Sequence, residues 1–160
     1  MDIYLGIDTS TTSTKTIAID QNGKILAVSS SGYSFETPFP LWSEQDPHLW
    51  WQATKVSMCE CVMKAGIEPS QVKGIGLTGQ MHGLTLLDGK MNILRQAILW
   101  NDQRTGAECE EIRRIVGKSR LVALTGNDAF AGFTAPKFLW VRKHEPEIYA
   151  RARHFVLPKD

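Results

Sequence analysis

Short apolar runs broken by polar turns open the chain, and stretches with apolar residues at helical spacing follow. Residues 3–8 predict a strand that leads straight into a run of hydroxyls, and residues 15–20 and 24–30 predict the next two strands. Asp20-Gln21-Asn22-Gly23 between the latter two is hairpin-turn chemistry, since Asn-Gly tolerates a positive φ. An antiparallel meander is therefore expected at the start. Residues 35–43, with Pro38 and Pro40, predict an irregular loop. Asp46 followed by Pro47 marks a helix start, a capping carboxylate ahead of a proline at the first helical position. Leu49, Ala53, Val56, Cys59 and Met63 recur at helical spacing, and Gly66 closes that helix.

Further along, residues 72–77 predict a buried strand, and residues 84–87 and 97–100 predict two more, with a turn at Asp88-Gly89. Residues 103–116 predict a charged amphipathic helix that ends at Gly117. Thr134 can cap a helix with Pro136 in its first turn, running to about Lys143; Pro146 starts a short helix, and residues 154–157 predict a last strand. Hairpins come first and strands mixed with helices come later, which predicts one α/β domain with a mixed sheet. No repeat with a period of 20–50 residues and no low-complexity segment argues for modules or a solenoid.

Composition narrows the classes. With 160 residues, 42% of them hydrophobic and 22% charged, the chain has the size of one ordinary domain and enough apolar material for a core. The formal net charge is +1, without the clustered basic excess of a nucleic-acid surface. Phosphate binding stays open, because it needs only local donors. No apolar run approaches the ~20 residues of a membrane span. The start, Met1-Asp2-Ile3-Tyr4-Leu5, lacks the basic region of a signal peptide. Cys59, Cys61 and Cys109 have no paired spacing and are read as buried thiols, not metal ligands, which fits a reducing cytoplasm.

Four segments carry candidate chemistry. In Gly6-Ile7-Asp8-Thr9-Ser10-Thr11-Thr12-Ser13-Thr14-Lys15, a carboxylate sits near the end of the first strand and hydroxyls turn the chain into the second. Amides and hydroxyls in such a turn can converge on an anion, Asp8 can hold a hydrated Mg²⁺, and Lys15 offers a cation. An ordinary polar hairpin tip is the alternative. No G-x-x-x-x-G-K-[ST] occurs, so any nucleotide is bound by an architecture other than a P-loop. Trp42-Ser43-Glu44-Gln45-Asp46-Pro47-His48-Leu49-Trp50-Trp51 is an aromatic and acidic loop feeding a capped helix, with Trp42 as a ligand wall and Trp50 and Trp51 as either wall or core. Gly79-Gln80-Met81-His82-Gly83 ends a strand between glycines, where backbone can approach a ligand and Gln80 and His82 offer donors and acceptors suited to hydroxyls. Leu99-Trp100-Asn101-Asp102-Gln103-Arg104-Thr105 places Asn101, Asp102 and Arg104 at a strand end. There the alternatives are ligand contact, or Asp102 capping the next helix while Arg104 pairs with Glu108.

These segments resemble carbohydrate kinases of the xylulokinase and glycerol kinase family. The Gly-Ile-Asp hydroxyl turn is similar to that family's first phosphate loop, and the fold implied is RNase H-like, the actin-like ATPase fold shared with hexokinase. Gln80-Met81-His82 resembles the xylulokinase branch in particular, where Met and His contact the ketose; glycerol kinases carry Arg-Glu at the last two places. Leu124-Thr125-Gly126-Asn127 and Phe133-Thr134-Ala135-Pro136-Lys137 also match in order and spacing. The resemblance implies ATP-dependent phosphorylation of a ketopentose, D-xylulose to D-xylulose 5-phosphate, with ATP and Mg²⁺ as cofactors and a cytoplasmic location. Asp8 would serve the metal and phosphate site, and Thr11, Thr12, Ser13 and Lys15 the nucleotide phosphates. Trp42, Gln80, Met81, His82, Asn101, Asp102 and Arg104 would line the sugar site. Another sugar or polyol (ribulose, a sugar acid, glycerol) and a non-catalytic actin-like ATP-binding module are the competing readings. Family members are about three times this length, so the chain reads as an N-terminal part, inactive by itself. The general base Asp is expected beyond Asp160, and a homodimer is the full-length assembly considered.

Overall fold

The predicted meander forms. Strands β1 (Ile3–Thr9), β2 (Ser13–Asp20) and β3 (Ile25–Gly32) pair antiparallel in sequence, and Gly23 takes the positive φ of 81° at the β2–β3 turn. Asp20 Oδ1 closes that turn by accepting from the Asn22 and Lys24 amides at 2.8 and 3.0 Å. β4 (Glu44–Gln45) lies between the loop expected over residues 35–43 and the helix start at Asp46, where the sequence predicts no strand. The helix α1 (Pro47–Ala65) begins where Asp46 accepts from the His48 amide and ends where Gly66 turns left-handed. A short 3₁₀ turn (Pro69–Gln71) leads into β5 (Val72–Gly79), which lies parallel to β1 and gives the mixed order β3-β2-β1-β5.

The computed structural model describes residues 1–160 and divides into two compact units. The first comprises Met1–Phe35, Asp46–Gln80 and Pro158–Asp160. Its sheet buries Ile3, Leu5 and Ala18 against Cys61 of α1, with Leu26, Ala27, Met58 and Val62 around them. Burying a side chain of Ile or Leu size contributes ~1.5–3 kcal/mol, so this cluster sets the stability of the unit.

Three expectations change here. The buried face of α1 is Trp50, Ala53, Ser57 and Cys61, whereas Leu49, Val56, Cys59 and Met63 face outward. Small side chains let the helix approach the sheet, where Ser57 Oγ meets Thr16 Oγ1 at 2.8 Å, and apolar spacing alone pointed to a neighbouring face. Cys59 is accordingly exposed, while Cys61 and Cys109 are buried. Trp50 is core, and Trp51 is exposed with Lys55 over its ring. β5 forms, yet it is an edge strand that α1 does not cover, so Ile75 and Leu77 are exposed.

The second unit comprises Glu36–Gln45 and Met81–Leu157. β4 pairs with β7 (Ala97–Ile98), and β6 (Thr85–Leu87) pairs with β8 (His154–Val156). Helices α2 (Gly106–Val116), α3 (Lys118–Thr125), α4 (Thr134–His144) and α5 (Pro146–Arg151) complete it, α3 being unanticipated between Gly117 and Gly126. Leu84, Leu86, Ile98, Trp140 and Val141 form its core.

Candidate functional site

In the first unit the strand register brings together the acid, the lysine and a threonine. Asp8 lies opposite Lys15 on β2 and beside Thr78 on β5, so the three side chains leave one face of the sheet. They line an open concavity of about 510 Å³ whose floor includes Gly6 and Gly76. Neither glycine carries a side chain to cover the sheet there.

The hydroxyl turn is an ordered structure. Ser10 donates from its amide and its Oγ to Ser13 O at 3.0 and 2.8 Å, and the Tyr33 hydroxyl donates to Ser10 O at 2.6 Å. Thr12 points to solvent, and Thr11 and Ser13 are half-buried. Gln80 is tied to the same turn: its Oε1 accepts from Thr11 Oγ1 at 3.3 Å, its Nε2 donates to Ser10 O at 3.5 Å and its amide donates to Thr9 O at 2.8 Å. The Gln80 side chain, expected at a sugar, is engaged in the hydroxyl turn. Gly79 permits this approach, because a Cβ there would stand 2.9 Å from Thr9 O.

In the second unit His82 and Trp42 belong to two local arrangements. His82 has a left-handed backbone, φ 59°, and its ring stacks on Phe133 at 4.3 Å and 22°. Its carbonyl accepts from Lys137 Nζ at 2.8 Å and from Thr134 Oγ1 at 3.3 Å. Burial, and then the Lys137 charge, hold the imidazole below its usual pKa, which keeps it neutral at pH 7 with one donor and one acceptor nitrogen. Met81 beside it is 64% exposed.

Trp42 is fixed by charge. The Arg104 guanidinium lies 3.6 Å from the centre of its ring and bridges Asp102 and Glu44, each at 2.7 Å. Asp102 also accepts from the Ser43 amide at 2.7 Å, and Glu44 pairs with Arg95 at 2.5 Å. Asp102 and Arg104 have side chains 0% and 1% exposed, so neither presents a surface to a ligand; they hold the Trp42 loop from beneath. The alternative pairing does not form either, since Glu108 pairs with Lys143 at 3.1 Å and Asp102 binds the Ser43 and Arg104 amides. Asn101 does face a cavity, of about 500 Å³, walled by Phe39, Pro40, Leu41 and Trp42. The Asn101 Oδ1 and Ser43 Oγ atoms are buried there without a partner in the protein.

Lys137 was not singled out as a site residue by the sequence. Its side chain is completely buried, and burial pushes its ammonium down to about 7. An unfolded lysine keeps its proton to ~10.4, so between these values the unfolded chain binds more protons and stability rises with pH. Unfolding free energy is expected to rise from pH 7 to 9.5 more steeply in the native protein than in Lys137→Met, by up to ~1.4 kcal/mol per pH unit. Urea titrations across that range measure it, and parallel slopes would contradict the assignment.

A three-strand meander joined through a helix to a fourth, parallel strand, with a hydroxyl turn at its tip, defines the actin-like ATPase fold of sugar kinases. Residues 3–160 match the N-terminal domain of the FGGY family of carbohydrate kinases, and the chain belongs to that family. It is 45% identical over 158 residues to the xylulose kinase of Escherichia coli (strain K12), covering 99% of this chain and 32% of that protein. Among solved structures, a xyloylose kinase from Brucella ovis superposes with a TM-score of 0.92 at 41% identity, covering 99% of this chain and 33% of the other. A xylulose kinase from Rhodospirillum rubrum does so with a TM-score of 0.93 at 30% identity, covering 99% and 32%. The chain thus spans about a third of the length of the relatives it matches. No helix is long and apolar enough to cross a membrane.

Proposed function

We propose that the protein carrying this chain phosphorylates D-xylulose with ATP to give D-xylulose 5-phosphate. One observation carries the choice of sugar: His82, which follows the exposed Met81 in the chain, is neutral and stacks its imidazole on Phe133. A neutral imidazole can both give and receive a hydrogen bond from a sugar hydroxyl, and it leaves no buried charge against a neutral ketose. The names of the relatives support the same substrate.

The chain's residues divide the work. Thr11, Thr12 and Ser13 offer hydroxyls to the nucleotide phosphates, Lys15 offers a cation, and Gln80 fixes the turn that carries them. The donor set fits a hydrated divalent ion, because Asp8 is a half-buried carboxylate opening onto a concavity with room for water. Asp8 would hold a hydrated Mg²⁺ there, which would supply positive charge against the phosphate oxygens. Trp42 and Asn101 wall the cavity in the second unit, with Asp102 and Arg104 as its supports. The carboxylate that accepts the sugar hydroxyl proton is assigned to the protein beyond Asp160.

In the full-length protein, His82→Ala is expected to raise KM for D-xylulose roughly tenfold, the equivalent of one hydrogen bond lost to a hydroxyl, while KM for ATP changes by less than about twofold. Steady-state kinetics on D-xylulose, D-ribulose and glycerol measure it. An unchanged sugar KM would remove His82 from the sugar site, and a preference for glycerol would overturn the substrate.

A further inference from the structure

The amine of Lys137 is the largest buried polar investment in the second unit that the proposed chemistry leaves unused. Lys137 is 0% exposed, yet no carboxylate neutralises it by contact. Its Nζ donates instead to two backbone carbonyls, His82 O at 2.8 Å and Gly132 O at 2.7 Å. Burying an amine at such sites costs stability that a Met or Leu of similar size would not, so its presence calls for a local task.

That task is visible in what the two carbonyls belong to. His82 is a non-glycine residue held at φ 59°, a conformation disfavoured for residues with a Cβ. Such a conformation persists only when its surroundings over-determine it. Thr134 Oγ1 adds a second donor to the same carbonyl, and Phe133, one residue earlier, stacks under the imidazole. Gly132 is locked in turn, because a Cβ there would stand 2.4 Å from Trp100 O. The segment Gly132-Phe133-Thr134 and the first turns of α4 therefore grip both the backbone and the ring of His82, with Lys137 bridging the two strands of backbone.

We propose that Lys137 is a positioning residue for sugar binding: by bridging the His82 and Gly132 carbonyls it fixes the left-handed backbone of His82 and so aims the imidazole at the sugar. The proposal rests on the reading that His82 contacts the sugar. Lys137 itself touches no substrate. The amine serves in either protonation state, since two N–H donors suffice for two carbonyls. A guanidinium is planar and larger, and would not reproduce the bridge without displacing Phe133 or Gly132.

The test uses the full-length protein with carbonyl-¹³C histidine, the His82 signal being assigned as the one lost in His82→Ala. In Lys137→Met the His82 carbonyl signal is expected to move, KM for D-xylulose to rise roughly tenfold, and kcat and KM for ATP to stay within about threefold. A merely structural lysine would lower the melting temperature without this split. Should Lys137→Met fail to fold, Thr134→Val removes the second donor to the same carbonyl; it is expected to move the signal and raise the sugar KM about two- to threefold. An unmoved carbonyl signal, or an unchanged sugar KM in the variant that folds, overturns the proposal alone. An unchanged sugar KM in His82→Ala overturns the sugar reading and the proposal with it.

Discussion

Asp8→Asn in the full-length protein is expected to lower kcat about 10²–10³-fold while sugar binding survives, the size of effect seen when one preorganised electrostatic element is lost from a transition state. The reason is local. Asp8 sits on β1 directly across from Lys15 and beside Thr78, on the sheet face above Gly6 and Gly76, where a concavity is left open. Asparagine keeps the shape of the side chain and its place in the strand, and removes only the charge that would hold a hydrated cation. The hydroxyl turn keeps its own bonds, because Ser10, Ser13, Tyr33 and Gln80 tie it without Asp8. Single-turnover kinetics with saturating ATP, alongside the sugar Kd from tryptophan fluorescence, separate the two effects. A kcat within about threefold of the native value would take Asp8 out of the mechanism.

The second large effect concerns stability. Arg104→Met should destabilise the protein by about 3–5 kcal/mol, because it leaves Asp102 as a buried charge without its partner. That is a large share of the ~5–15 kcal/mol that separates a folded domain from its unfolded chain. Arg104 donates to Asp102 through Nε and Nη2, pairs with Glu44, and covers the Trp42 ring, so the loop that walls the cavity loses its support together with its charge balance. The double variant Arg104→Met with Asp102→Leu should recover part of the loss, since it no longer buries an uncompensated carboxylate at 102, although the Ser43 amide loses its acceptor. Denaturant titrations of the three proteins decide it. A single variant within about 1 kcal/mol of native would mean that the pair is solvated in solution.

Local chemistry was legible in the sequence wherever it is decided within a few residues. The meander, its Asn-Gly turn, the Asp46–Pro47 start and Gly66 end of α1, and the acid-then-hydroxyl segment all depend on backbone preferences of neighbouring residues, and all are present. So were the residues that mark the family. What spacing could not supply was the identity of the partner across space. The apolar positions of α1 pointed to one face, but the sheet selected Ala53, Ser57 and Cys61, whose small side chains permit close approach, with Trp50 of the first turn on the same face. Ile75 and Leu77 read as core, but the position of a strand within a sheet depends on pairings between distant segments, and β5 came to its edge.

The same division runs through the candidate site. The residue types came from the sequence: a carboxylate with hydroxyls, and a histidine with an aromatic loop. Only the tertiary structure showed which of these side chains are buried and what they bond. It buried Asp102 and Arg104 beneath Trp42, engaged Gln80 in the hydroxyl turn, and brought Lys137, 55 positions along the chain, onto the carbonyl of His82. The physical reason is that a polar side chain's role depends on which donor or acceptor faces it once water is excluded, and nothing in the order of residues states that until the chain has folded.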